Sequence, residues 1–330
     1  MRIAIVGTGA TGSVYAGLLA SAGHDVWAID RWAEHVEAIR AGGLRVSGAS
    51  GDRIANPKAT TDPHEVGPVD LVVIATKAGQ VDSAARAVYP LLGDATIVLP
   101  IQNGLGSRER VAAIVGADRV LTGVIGGFGA SIVAPGHVHH HGMELVRLGE
   151  RAGPVSERVA LVAEAWRQAG FTVRTYDDVD RLVWEKLICN VAFSGTCALT
   201  GMTIGAVIDD ADAWSIASTC ATEAHAVAVA LDVAVCFDDP VIWVREFGER
   251  IPGARPSMLL DVLAGRPSEV DVINGAIPPL AARRGLAAPV NATVTSLVRA
   301  IEHAGTAPLE RAGQALAALL TPTSTERVQA

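Results

Sequence analysis

The chain has 330 residues, half of them hydrophobic but only 4% aromatic and 19% charged, which predicts two domains with aliphatic cores. A net charge of −8 at pH 7 argues against nucleic acid as a partner, because a phosphate backbone requires a basic surface. No apolar run is long enough to predict a bilayer span and no signal peptide is recognisable, so we expect a soluble protein without a membrane partner.

The first half of the chain alternates short β-branched runs with helix-like segments. Strands are predicted at 2–6, 25–29, 71–76, 96–100, near 119–125, 137–141 and 144–148, and at 171–176. Helices are predicted from about Gly12 to Ala22, around 32–41 and at about 155–169. This alternation predicts right-handed βαβ crossovers and a mostly parallel sheet, which is the α/β architecture of a Rossmann-like dinucleotide-binding domain.

The second half of the chain has a different pattern. From Asp177 onward the alternation stops, and helical periodicity dominates at 178–199, 211–232 and 268–284. We therefore expect an α/β domain at 1–177 and an all-α domain at 178–330, with a loosely ordered tail after about residue 305.

A Gly-rich turn directly follows the first predicted strand and directly precedes a helix. In such a turn the first glycine permits the tight bend, the second lets the backbone approach a pyrophosphate, and the third lets the helix pack closely on the strand. The helix N-terminus then presents N–H groups and a positive dipole end to the phosphates. A purely structural turn is the alternative. We expect dinucleotide binding by Gly7, Thr8, Gly9, Ala10, Thr11 and Gly12.

Two adjacent residues at the end of the second strand favour different cofactors. Asp30 lies where an acid normally binds the ribose hydroxyls of NAD, whereas Arg31 could hold the 2′-phosphate of NADP. A surface salt bridge is the alternative role for either side chain.

A polar stripe crosses an apolar helix of the second domain. Lys186, Asn190 and Ser194 follow one another at intervals of four residues and share one helix face. Such a stripe is costly to bury unless it faces a site, and burial would lower the pKa of the lysine toward the range of a general acid. An exposed amphipathic face is the alternative interpretation.

Several motifs together resemble the ketopantoate reductase family from Met1 to about Glu302. They are GTGATG at 7–12, TKAGQ at 76–80, QNGLG at 102–106, WEKLICN at 184–190, SMLLD at 257–261 and EVDVINGAI at 269–277. The resemblance implies a Rossmann domain joined to a helical domain of the 6-phosphogluconate-dehydrogenase-like kind, with the active site in the cleft between them. It also implies reduction of ketopantoate (2-dehydropantoate) to pantoate, with NADPH as the family's cofactor, although Asp30 leaves NAD open.

The same resemblance implies two catalytic residues. Lys186 matches the proton donor to the keto oxygen of the substrate. Glu269 matches the acid that interacts with that lysine and with the reacting end of the substrate, and it is also expected among the cofactor-binding residues. The chemistry is coherent, because a carbonyl that accepts hydride develops negative charge that a nearby ammonium stabilises.

Further residues are implied in binding. Asn103 matches the asparagine at the junction of cofactor and substrate, and Lys77 matches a lysine on the nicotinamide side. Asn190 and Ser257 match residues that hydrogen-bond the substrate. Each residue taken by itself has a structural alternative: Asn103, which precedes Gly104, could form a turn, and Ser257 could be a helix N-cap.

Ser194 departs from the family pattern, which has a second asparagine at this position for the hydroxyl of the substrate. A serine could act through a water or accommodate another 2-oxoacid. A paralogous 2-oxoacid reductase is therefore the alternative substrate assignment. An inert dinucleotide-sensing protein and an amine-forming dehydrogenase on the same architecture are further hypotheses.

A histidine cluster and four cysteines complete the sequence-based predictions. His137, His139 and His141 share a strand face, but no acidic or cysteine ligand is near in sequence, so we expect no metal. The cysteines lack C-x-x-C spacing and predict reduced residues of a cytoplasmic protein. The expected partner is a small molecule, and the apolar helical domain leaves a homodimer open.

Overall fold

The computed structural model describes residues 1–127, 129–142, 145–150 and 153–304. The chain divides into two compact units, Met1–Leu187 with Ala228–Asp238, and Ile188–Val227 with Asp239–Ala330. The predicted loosely ordered tail after about residue 305 lies outside the described residues. The domain boundary after residue 177 stays a prediction.

A five-stranded parallel sheet forms the centre of the first unit. Its strands are β1 (Arg2–Val6), β2 (Asp25–Ile29), β5 (Lys58–Thr60), β6 (Val69–Ile74) and β7 (Leu92–Pro100). Their order is β5-β2-β1-β6-β7, and every neighbouring pair is parallel. The predicted Rossmann-like α/β architecture is therefore confirmed.

Strand β1 shows why these residues make a doubly covered sheet. Ile3 and Ile5 belong to one apolar core, whereas Ala4 and Val6 belong to a second core on the opposite face. Because side chains alternate along a strand, a run without polar residues is stable only where helices cover both faces. The helices of this unit are α1 (Ala10–Ser21), α2 (Ala33–Gly42), α3 (Val81–Ala87), α4 (Ser107–Val115) and α5 (Glu157–Gln168).

Two smaller sheets accompany the parallel one. The first has the order β4-β3-β10-β9, built from β3 (Leu44–Gly48), β4 (Arg53–Ala55), β9 (Gly129–Ala134) and β10 (His137–Gly142). The second has the order β12-β11-β8, built from β8 (Thr122–Gly126), β11 (Leu145–Gly149) and β12 (Val173–Tyr176).

Four strands have no counterpart among the sequence-predicted elements. They are β3, β4, β5 and β9. Strands β4 and β5 have three residues each, and β9 begins at a glycine and ends in two exposed residues. None of the four presents a continuous apolar run, which is the signal on which strand prediction depends.

The second unit contains helices and no strand among its described residues, which confirms the all-α prediction. Helix α6 (Val179–Thr200) begins in the first unit and continues into the second. The others are α7 (Ile204–Asp209), α8 (Ala211–Ala230), α9 (Pro240–Glu249), α10 (Ser257–Leu263), α11 (Ile277–Arg283) and α12 (Pro289–Ala304).

The helical stretch predicted at 268–284 is wrong in its first half. Residues Val270–Val272 and Asn274–Ala276 form separate 3-10 turns, and α11 begins only at Ile277. Pro278 and Pro279 lack the N–H groups that would bond the carbonyls four residues earlier, so a helix can start there but cannot extend through them.

A buried polar network fixes the middle of α6 in the second unit. The Asn274 amide donates to the Val191 carbonyl at 2.8 Å and to the Asn291 side chain at 3.0 Å. Asn291 in turn donates to the carboxylate of Glu223 at 2.8 Å, which also accepts from the first N–H groups of α12. An anion at a helix N-terminus is favourable, so the network anchors α12 against α6 and α8.

Close helix packing adds to this network. A side chain at position 195 would overlap Val294 and approach Asn274, so this position of α6 favours glycine. By length and composition α6 could also cross a membrane, but 78% of its most apolar window is buried inside the protein. Its apolar surface is thus already used within the fold.

Candidate active site

The three glycines of the phosphate turn have three different structural reasons. Gly7 adopts a φ of +92°, and a Cβ there would lie 2.7 Å from the backbone nitrogen of Thr76. A Cβ at Gly12 would overlap the carbonyl oxygen of Gly7, so this position must be bare for α1 to leave the strand. A Cβ at Gly9 would meet no atom within 4 Å. Packing therefore demands glycine at the first and third positions, while the second leaves an open approach for a ligand.

The N-terminus of α1 is suited to an anion. Helix α1 starts at Ala10 after Gly9, and no side chain caps its first N–H groups. The hydroxyl oxygen of Thr8 is buried and has no hydrogen-bond partner among the described residues. A helix N-terminus of this kind binds phosphate, so the turn fits the pyrophosphate of a dinucleotide.

The acid that follows β2 is held in place by its own loop. A carboxylate oxygen of Asp30 accepts from the backbone N–H of Trp32 at 3.0 Å. Asp30 is half-buried, whereas Arg31 beside it is exposed. Both residues follow β2, which pairs with β1, the strand before the phosphate turn. Asp30 is an acid held by its loop, and Arg31 is an exposed base.

The lysine of α6 and the asparagine of the QNGLG segment meet directly. The Lys186 ammonium donates to the side-chain oxygen of Asn103 at 2.7 Å, and it also donates to the carbonyl oxygen of Ile125 in β8. Both residues are half-buried. The bond shows that Asn103 does more than form a turn, although Gly104 after it does adopt a positive φ of 81°.

Gln102 positions the loop that carries Asn103. Its side-chain amide donates to the carbonyl oxygens of Ile74 at 2.8 Å and Thr76 at 3.0 Å. These acceptors lie at the end of β6, immediately before Lys77, which is exposed. The loops after β6 and β7 are thereby joined. Gln102 lies within the QNGLG motif, but the motif alone did not predict this role.

The remaining predicted residues lie in the second unit. Asn190 is half-buried and Ser194 is buried, both on α6. Glu269 is 7% exposed and precedes the first 3-10 turn. Ser257 is exposed at the first position of α10, and the N-cap position is Pro256, so the N-cap interpretation of Ser257 is wrong.

The histidines of the cluster form hydrogen bonds with serine side chains of the same sheet. Ser47 lies 2.9 Å from His137 and 3.3 Å from His139, while Ser131 lies 2.9 Å from His141. Within the described residues no group of three His, Cys, Asp or Glu side chains has the arrangement of a metal site. These imidazoles thus take part in ordinary hydrogen bonds between strands of the β4-β3-β10-β9 sheet.

Two family models match the chain in succession. Residues 3–153 match the model described as "Ketopantoate reductase PanE/ApbA". Residues 178–302 match "Ketopantoate reductase PanE/ApbA C terminal". The two matches lie in the two halves of the chain, one after the other.

Individual proteins agree with these models. A 2-dehydropantoate 2-reductase from Halobacterium salinarum is 34% identical over 306 residues, which cover 92% of this chain and 100% of that protein. The crystal structure of 2-dehydropantoate 2-reductase from Geobacter metallireducens GS-15 has a TM-score of 0.84 at 34% identity and covers 91% of this chain and 99% of its own. A ternary structure of D-mandelate dehydrogenase with NADH and anilino(oxo)acetate has a TM-score of 0.83 at 26% identity. The match covers 92% of this chain and 99% of that chain.

Proposed function

Because this chain belongs to the ketopantoate reductase family, we propose that it reduces 2-dehydropantoate to (R)-pantoate with a nicotinamide cofactor, the step that supplies pantoate for pantothenate biosynthesis. The observation that carries the proposal is the bond between Lys186 and Asn103, which joins the expected proton donor to the expected cofactor–substrate junction. When bound, the reduced nicotinamide supplies the hydride that adds to the C2 carbonyl.

Lys186 is the residue that supplies the proton. As hydride reaches C2, negative charge develops on the keto oxygen, and an ammonium held by Asn103 and the Ile125 carbonyl stabilises it and then donates a proton. Glu269 is proposed to keep that lysine charged. Asn190, Ser194 and Ser257 supply the amide and hydroxyl groups that suit a small hydroxy acid.

The phosphate turn and residues after β2, β6 and β7 are proposed to hold the cofactor. Gly7 to Gly12 are proposed to bind the pyrophosphate, and Lys77 and Asn103 are proposed to contact the nicotinamide. Glu269 is a further proposed cofactor-binding residue. NADPH is the proposed cofactor, with exposed Arg31 at the 2′-phosphate. Asp30 lowers that preference through charge repulsion and makes NADH a usable second cofactor.

Localisation and assembly are part of the same proposal. Burial raises the pKa of Cys197 and of Cys220 to about 12, which keeps these thiols protonated and inert. Such cysteines suit a cytoplasmic enzyme, which we propose to be a homodimer acting on a small molecule, without a nucleic-acid or membrane partner.

The decisive experiment measures initial rates of NADPH and NADH oxidation with 2-dehydropantoate and with other 2-oxoacids, including benzoylformate. Efficient turnover of 2-dehydropantoate is expected. Turnover of another 2-oxoacid alone would retain the chemistry and overturn the substrate. Tight cofactor binding without any turnover would indicate a sensing protein, and ammonia-dependent oxidation would indicate an amine-forming dehydrogenase.

A further inference from the structure

A fully buried histidine lies behind the phosphate turn, on α2. His35 has no solvent exposure, and each of its ring nitrogens has a hydrogen-bond partner. Nδ1 accepts from the backbone N–H of Gly136 at 3.0 Å. Nε2 lies 3.0 Å from the hydroxyl of Ser13 in α1. The proposed mechanism assigns no role to His35 or to Ser13.

The partners define the protonation state of this imidazole. Because Gly136 can only donate, Nδ1 must carry a lone pair, and a neutral ring then has its proton on Nε2. Nε2–H donates to Ser13, whose own hydroxyl donates to the carbonyl oxygen of Thr8 at 2.8 Å. The result is a one-directional chain of three buried bonds that ends on the phosphate turn.

The last bond of this chain determines where a backbone donor points. In a trans peptide the carbonyl of one residue and the N–H of the next point in opposite directions. Ser13 holds the Thr8 carbonyl on the buried side, so the N–H of Gly9 is directed to the opposite, open side. Gly9 is the exposed glycine at which a Cβ would meet no protein atom.

The same histidine also contacts the loop that carries Asp30. The ring of Trp32 stacks on His35 with centroids 4.9 Å apart and planes inclined by 11°. Trp32 donates its backbone N–H to Asp30. One imidazole therefore connects the phosphate turn to the segment at the expected ribose site and to the β9–β10 turn at Gly136.

We propose that His35 is a positioning residue for cofactor binding, which acts through Ser13 to hold the Thr8–Gly9 peptide with its N–H directed at the pyrophosphate. The proposal rests on the proposed function only in that the turn binds a dinucleotide. It assigns His35 no contact with the cofactor and no part in hydride transfer.

The electrostatic surroundings are consistent with a neutral ring. Burial lowers the pKa of His35, and the negative charge of Asp30 raises it by a smaller amount. Helix α1, which supplies Ser13, contains no charged side chain. A second ring proton on Nδ1 would face the N–H of Gly136, so protonation would break the bond on that side.

The test is a fluorescence titration of the wild-type chain and its variants with NADPH and with NADH, without substrate. Ser13→Ala removes the bond that holds the Thr8 carbonyl as well as the bond from His35, and it is expected to raise Kd about 5-fold. His35→Leu keeps the Ser13 hydroxyl but removes the donor that orients it, and it is expected to raise Kd about 2- to 5-fold. His35→Gln places an amide N–H near Nε2 and should recover most of the affinity.

A matched control separates positioning from general stability. The buried hydroxyl of Thr96 donates to the Val69 carbonyl at 2.6 Å and accepts from Gly93 at 2.8 Å, at the opposite end of the parallel sheet. Thr96→Val should lower the melting temperature as Ser13→Ala does, yet leave Kd unchanged. With saturating cofactor and 2-dehydropantoate, Ser13→Ala should retain kcat within about 2-fold while KM for the cofactor rises with Kd.

Each outcome decides the inference. A Kd for Ser13→Ala equal to that of the wild type, or an equal rise in Thr96→Val, would overturn it even if His35→Leu fails to fold. Failure of His35→Gln to bind better than His35→Leu would also overturn it. Absence of nucleotide binding by the wild-type chain would instead overturn the proposed function, and the inference with it.

Discussion

The ammonium of Lys186 and the side-chain oxygen of Asn103 are 2.7 Å apart, although 83 residues separate them in the chain. One residue comes from a helix of 22 residues and the other from the loop after β7. Their contact orients the lysine. Preorganised donors of this kind are effective because they need little rearrangement when charge develops on the substrate.

Lys186→Ala should lower kcat with 2-dehydropantoate by about 100-fold or more, since the charge that stabilises the keto oxygen is lost. The Kd for NADPH should change by less than about 3-fold, because the phosphate turn is untouched. Steady-state kinetics with a parallel fluorescence titration measures both. Lys58→Ala is the control, because Lys58 forms a surface ion pair with Asp25. Wild-type activity in Lys186→Ala would disprove the catalytic role.

Asn103→Ala should release the Lys186 ammonium from one acceptor and lower kcat by about 10- to 100-fold. Asn103→Asp keeps the acceptor oxygen and adds a charge, so the bond to Lys186 is retained. We expect the pH at which kcat declines on the alkaline side to rise in the Asp variant, because a carboxylate stabilises the charged ammonium. Identical pH–rate profiles for Asn103→Asp and the wild type would contradict this account.

Cofactor preference should depend on the two residues after β2. Arg31→Ala should lower kcat/KM with NADPH by about 10-fold and leave NADH nearly unchanged, because only NADPH has a 2′-phosphate. Asp30→Asn should shift the ratio of efficiencies toward NADPH, because the repulsive charge is removed while the bond from Trp32 can be kept. Equal effects on both cofactors would mean that neither residue approaches the ribose.

Ser194→Asn restores the side chain that the family pattern has at this position. If 2-dehydropantoate is the substrate and its hydroxyl is held here, this variant should lower KM by about 2- to 10-fold with little change in kcat. The buried Ser194 leaves limited room, so the melting temperature of the variant must be measured as well. A higher KM in a variant of unchanged stability would place the substrate hydroxyl elsewhere.

The stability of the chain should fall as the pH falls below about 6.5, the pKa of an unperturbed histidine. Burial lowers the pKa of His35 and of His140 in the folded state, so the unfolded chain binds more protons in this range. The contribution of these histidines to the free energy of unfolding is complete above their pKa in the unfolded chain. It is lost as the pH falls toward their lower pKa in the folded protein. Chemical denaturation between pH 5 and 7 should show a shallower pH dependence for His35→Gln than for the wild type. The same slope in both proteins would exclude a contribution from His35.

The parallel sheet could be predicted from the sequence, because residues 3–6 of β1 are all apolar and their side chains alternate between two apolar cores. It failed at 270–276, where the two prolines at 278 and 279 restrict the start of a helix to their own position. Strands β3, β4 and β9 of the four-stranded sheet were missed because pairing with distant partners, such as β3 with β10, stabilises them despite weak local signals.

The sequence carried information on only part of the candidate site. Helical spacing and motifs predicted Lys186 and Asn103 as separate site residues, but they did not predict the bond between them. The bond that Ser13 donates to Thr8 and the bond that it accepts from His35 could not be predicted from periodicity. Thr8 precedes α1, and residues 13 and 35 belong to different helices. A hydroxyl inside an apolar helix next to a phosphate turn was the only signal in the sequence.

The bare face of α6 at Gly195 offers a way to control this enzyme by temperature. A methyl group there would collide with Val294, and overpacking of this kind costs about 1–3 kcal/mol. Gly195→Ala would thus keep every proposed catalytic and binding side chain while the anchored helix pair loosens on warming. A conditional allele of that design would let a cell carry the activity at low temperature and lose it after a shift upward.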